Sequence, residues 1–113
     1  MDKHITIPKL APFLQDFSEE HRAQPMTLEV LVGNTWDVQE SGLPLVGLDL
    51  DTRGADAPSV EIILGDQASG ETGHLTHTVR RVKGVIVEVN DKEVERRVII
   101  EGEDGSRAVL SIG

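Results

Sequence analysis

Two histidines stand three residues apart in His74-Leu75-Thr76-His77-Thr78-Val79. Imidazole ligates metals and exchanges protons near neutral pH, so chemistry is sought in this stretch first. On a helix such spacing would set both rings on one face, but on a strand it sends them to opposite faces. The alternation around them is that of a strand. A shared metal site would then need a bulge, or a third ligand from elsewhere such as His21 or His4, and no metal site is assigned. By alternation His77 lies with Leu75 and Val79 on the inward face. Its ordinary role there is a buried imidazole hydrogen-bonded to a backbone carbonyl. The functional alternative is a ligand contact or an acid–base group inside a rolled sheet. His21, His74, Thr76 and His77 are the candidate ligand-binding residues; no catalytic residue is assigned.

Other constellations point away from catalysis. Asp49-Leu50-Asp51-Thr52, at the end of an apolar strand, looks like the acidic nucleophile motif of phosphate hydrolases. Those enzymes need a parallel sheet with crossover helices, which a chain with a single helix pattern cannot supply. Asp49 and Asp51 share a strand face, where a divalent cation could bridge them, and two solvated acids are the commoner case. The segment 65–72 has the spacing of a phosphate-binding loop but carries Glu71 where the lysine belongs, and no helix pattern follows. It reads as a strand connection. None of the serines has a nucleophile-elbow context. Arg80-Arg81, Lys83 and Arg96-Arg97 form the basic cluster, interleaved with Glu88, Glu93, Glu95 and Glu101. Cross-strand ion pairing is its expected role.

These residues need elements to position them. Leu10, Phe13, Leu14, Phe17 and His21 recur at helical spacing, which predicts a helix over 5–23 that ends before Pro25. After Pro25 the pattern has period two. Met26, Leu28, Val30 and Val32 share a face, and a turn at Gly33-Asn34-Thr35 lets Trp36 and Val38 continue it. Ser41-Gly42 breaks that second strand. Further strands follow around Val46–Leu50, Val60–Leu64, Leu75–Val79 and Val85–Val89, then a final hairpin. For that hairpin, a three-residue loop Glu103-Asp104-Gly105 sets Ile100 opposite Ala108, Val98 opposite Leu110 and Arg96 opposite Ile112. One face then carries Val94, Val98, Ile100, Ala108, Leu110 and Ile112. A two-residue loop would mix apolar and polar residues on both faces. The expected fold is α+β: one domain over 1–113, its N-terminal helix packed on an antiparallel meander of about eight strands spanning 26–112, as a rolled sheet or small barrel.

Composition narrows the function further. The chain of 113 residues has no cysteine, which removes disulfides, thiolate zinc sites and cysteine nucleophiles. Eleven Lys and Arg against 20 Asp and Glu give a net charge of −9. That balance opposes nucleic-acid and anionic-membrane binding, and three aromatic residues make a poor base-stacking platform. The start of the chain lacks the pattern of a signal peptide, and no run approaches the ~18 apolar residues of a membrane span. A soluble cytoplasmic protein is the default expectation.

Three segments together resemble a family of short bacterial proteins classed only as a domain of unknown function. They are Phe13-Leu14-Gln15-Asp16-Phe17-Ser18-Glu19-Glu20-His21, Leu43-Pro44-Leu45-Val46-Gly47-Leu48, and Leu64-Gly65 with His74-Leu75-Thr76-His77-Thr78-Val79. They are similar to that family's F-L-x-x-F-S-x-x-H, L-P-L-x-G-[IL] and L-G with H-x-T-H-x-[IV] segments, in the same order. The chain departs from it at Pro12 and in the long loop before His74. The resemblance implies no activity, cofactor or catalytic residue. The expectation is a small non-enzymatic interaction module acting on a protein partner or on itself as a homodimer. The alternative is a small-molecule-binding rolled sheet with its pocket near His77. Neither reading requires a cofactor.

Overall fold

The stripe formed by Leu10, Leu14 and Phe17 is buried to the last few square ångströms, and it explains where the helix sits. In the computed structural model, which describes residues 2–65 and 74–113, this helix (α1, Leu10–Glu20) packs on an antiparallel sheet. The described strands are β1 (Asp2–Ile5), β2 (Pro25–Val32), β3 (Thr35–Asp51), β4 (Ser59–Gly65), β5 (His74–Val79), β6 (Val82–Val89), β7 (Glu95–Gly102) and β8 (Arg107–Ile112). Their order across the sheet is β1-β6-β7-β8-β2-β3-β4-β5, rolled but not closed into a barrel. The fold is therefore α+β, with an N-terminal helix on an eight-stranded antiparallel sheet.

The helix is shorter than the 5–23 expected from its periodicity. Asp2–Ile5 is instead a strand that pairs with β6 (Ile5 opposite Val85), and a 3-10 turn at Ile7–Lys9 leads into α1. Pro12 is the third helical residue, a position where an amide hydrogen has no partner in the helix. At the other end His21 is the C-cap and donates its backbone N–H to Phe17 O; Ala23 then adopts φ +69 and the chain turns into β2. Ser18 fastens the helix to the sheet: its hydroxyl accepts the Leu48 N–H at 2.8 Å and donates to Leu14 O at 2.7 Å.

The β7–β8 hairpin has the register expected of it. Ile100 lies opposite Ala108 and Val98 opposite Leu110, and the Gly102 N–H donates to Ser106 O across the loop. Gly105 takes φ +88, the conformation for which glycine is needed there. Three details differ. Val94 is 49% exposed and lies outside β7, so it is not part of the apolar face. Trp36 and Val38 do not continue the face of Met26: the β2–β3 loop holds two residues, Gly33 and Asn34, with Val32 opposite Thr35 and Leu31 opposite Trp36. A loop shorter by one residue turns both side chains to the outer face. Finally, Ser41-Gly42 does not break the strand. Two bulges against β2, at Gln39 and at Gly42 (φ +88), and one against β4, at Val46, bend β3 while it continues for 17 residues.

Candidate functional site

The end of α1 meets the start of β7 at His21. This ring is buried, 7% exposed, and stacks at a tilt of 43° on Phe17 with centroids 4.4 Å apart. Its Nδ1 lies 2.6 Å from Gln24 Oε1 and its Nε2 lies 2.7 Å from Glu95 Oε1. With an oxygen acceptor at each nitrogen, the imidazolium donates from both. Burial alone would lower the pKa of this ring. The hydrogen bonds to Glu95 and Gln24, with the negative charges of Glu95 and Glu20, outweigh it and raise the pKa above 6.5. The carbonyl end of the helix also favours a cation at this position.

Glu95 reaches His21 because β7 is bulged. Glu88 pairs with Arg97 and Val89 with Glu95, so Arg96 is an extra residue without a partner across the ladder. Side chains beyond a bulge change faces, and Glu95 therefore joins the inward face of Val89 in place of Val94. The charged run Glu95-Arg96-Arg97 carried the signal. In an unbroken strand one of two adjacent arginines must point into the core, which a bulge avoids.

The candidate residues of β5 lie elsewhere. His77 is opposite the buried Ile62 and shares its inward face, as alternation requires. It is half-buried, and burial lowers its pKa. No side-chain hydrogen bond joins its ring to a described residue. Thr76 is opposite Ile63, exposed, on the other face. His74 opens β5 opposite Gly65, and its side chain lies outside the described residues. Both ring nitrogens of His21 are taken by Gln24 and Glu95, so no hydrogen bond joins it to His77. His4 is exposed on β1. The phosphate-loop-like segment lies outside the described residues from 66 onward. Asp49 and Asp51 are exposed acids opposite Glu61 and Ser59, and Asp51 caps the Arg53 N–H at 2.9 Å. In the basic cluster Arg97 forms a two-pronged pair with Glu88 (2.8 and 2.6 Å), while Arg80 and Arg81 both face Asp56.

The outer face of the sheet holds a second feature that the sequence reading missed. Trp36, 48% exposed, walls a hollow of about 390 Å³ together with Glu29, Arg97, Ile99, Arg107 and Val109. Val38 (56% exposed) stands on the same face opposite Glu29. Helix α1 packs against β3 and lines a different groove, between Gln15, Arg22 and Asp49. No described helix is long and apolar enough to cross a membrane. No protein-family model, curated protein or solved structure matches this chain, so the roles of His21, Glu95 and Trp36 rest on their own geometry.

Proposed function

We propose that this chain is a cytoplasmic, non-enzymatic interaction module that binds a second copy of itself through the outer face around Trp36, and binds neither nucleic acid nor membrane. The observation that carries this reading is a half-exposed tryptophan beside Val38, next to a hollow with an apolar floor of Ile99 and Val109. Tryptophan and arginine are the side chains that most often dominate binding energy when they are buried at the centre of an interface. Charge favours a like partner. A chain with a net charge of −9 repels its own copy at most faces. Here two cations, Arg97 and Arg107, stand among three anions, Glu29, Glu88 and Glu101, and two of these anions already pair with the arginines. A face carrying both signs can complement itself across a two-fold axis.

Sedimentation equilibrium of the full chain, from micromolar to hundreds of micromolar, tests the proposal. The expected result is a mass of twice 12.3 kDa that reverts to the monomer in Trp36→Ala with unaltered thermal unfolding. A monomer at every concentration, or a dimer indifferent to Trp36→Ala, overturns it.

The small-molecule reading retains one supporting observation: His77 faces inward, half-buried, and its ring has no side-chain hydrogen bond to a described residue. Native mass spectrometry of protein purified under mild conditions distinguishes it. A mass excess of a few hundred daltons that disappears in His77→Leu favours a pocket there, and a bare chain or bare dimer removes it.

A further inference from the structure

We propose that Glu20, His21 and Glu95 form a binding site for a divalent cation of the zinc class, joining the C-terminal end of α1 to β7. Among the described residues, these three offer one nitrogen and two carboxylate oxygens that all lie within 4.8 Å of one another. Tetrahedral coordination at zinc–nitrogen and zinc–oxygen distances needs ligand atoms about 3.4 Å apart. Nε2 and Glu95 Oε1, 2.7 Å apart in their hydrogen bond, must separate by about 0.7 Å to admit the ion, and the rest of the adjustment falls on Glu20, which ends the helix with an exposed side chain. The other two ligands are already held. Glu95 is turned inward by the bulge in β7, and His21 is fixed by Phe17 and Gln24.

The hydrogen bond from His21 to Gln24 supports the site more strongly. A metal-binding histidine commonly donates its other ring N–H to a carbonyl or carboxylate oxygen, which sets the tautomer and aims the free lone pair at the metal. Gln24 Oε1, 2.6 Å from Nδ1, does this for His21 and leaves Nε2 facing Glu95. Charge points the same way. Two carboxylates around an imidazolium leave one negative charge uncancelled, whereas a divalent cation on the neutral ring cancels both. The cation takes the place of the Nε2 proton, which is released to solvent on binding. The mixed imidazole–carboxylate set suits zinc-like ions; calcium and magnesium favour all-oxygen sites. With three protein ligands, a fourth position stays open to water on the exposed Glu20 side.

Isothermal titration of chelator-stripped full-length protein with zinc chloride, near pH 7.5, tests the site. The expected result is saturation at one equivalent, at least tenfold weaker binding in Glu20→Gln, and none measurable in Glu95→Gln. Cobalt(II) added to the same protein should give the visible bands of a tetrahedral complex. Weak binding of several equivalents, or one-equivalent binding that His21→Gln leaves intact, overturns the proposal. If His21→Gln or Glu95→Gln fails to fold, Glu20→Gln decides, because its side chain is exposed and outside the core. Unchanged zinc affinity in that variant also overturns the proposal.

Discussion

On the inner face of the sheet the large side chains are packed: Phe17, Leu14 and Leu10 fill the roll against Leu28, Ile62 and Ile100, and the polar His21 has an acceptor at each nitrogen. On the outer face Trp36 and Val38 stand half in water beside paired arginines. The two faces belong to the same strands, and alternation assigns each residue to one or the other. The inner face stabilises the fold, while the apolar surface left on the outer face is free to bind. If this division is right, substitutions on one face should change stability and leave association alone, and those on the other should do the reverse.

The largest effect is expected at Phe17. Phe17→Ala removes a fully buried ring at the helix–sheet junction and should lower the unfolding free energy by about 3–5 kcal/mol, read from urea denaturation. Sedimentation of the folded fraction should be unchanged. A loss below about 1 kcal/mol would mean that the helix is not docked. Trp36→Ala is the converse. Its stability change should stay within about 0.5 kcal/mol, while self-association weakens by about 2 kcal/mol or more, roughly thirtyfold. If Trp36→Ala instead unfolds the protein, Trp36 belongs to the core and the comparison fails.

How far the two faces could be separated in the sequence depended on register. In the last hairpin only one loop length kept Val98, Ile100, Ala108 and Leu110 together, so the pattern determined the register. Around Gly33 the residues on both sides, Leu31 and Val32, Trp36 and Val38, are apolar. Apolar side chains therefore fall on both faces whatever the loop length, and the three-residue turn expected at Gly33-Asn34-Thr35 differs from the two-residue loop of the structure. The β-bulges are harder still. Each adds one residue to one strand, and that count is visible only against the partner strand. Hence the sequence places Glu95 only among the cross-strand ion pairs, and its meeting with His21, 74 residues away, is not legible there. The helix stripe already pointed to His21 as an inward residue. Gln24 lies where Pro25 ends the helical pattern, so no spacing marks it.

Glu95→Gln should cost about 1.5–3 kcal/mol at pH 6, the usual worth of a hydrogen bond to a charged partner. Association should be untouched, since the pair lies on the inner side. The loss should shrink as pH rises and the imidazolium of His21 gives up its proton.

The smallest and most discriminating effect is in the pH dependence of stability, where His21 and His77 should act in opposite directions. The pKa of His21 is raised in the folded protein, so the folded state holds its proton more tightly than the unfolded chain. Its contribution is complete below about pH 6.5, the unfolded value, and is lost as pH climbs through the raised value. The pKa of His77 is lowered by burial, so the unfolded chain binds that proton more tightly. Its contribution is complete above about pH 6.5 and is lost as pH falls through the lowered value. Urea midpoints measured from pH 5 to 9 with chelator present, in the wild type, Glu95→Gln and His77→Leu, separate the two. Glu95→Gln should flatten the alkaline limb only. His77→Leu should flatten the acid limb only, with equal or greater stability at pH 5, because an aliphatic side chain has no charge to bury. An acid limb unchanged in His77→Leu would mean that its ring reaches water, and the inner face would then be open at β5.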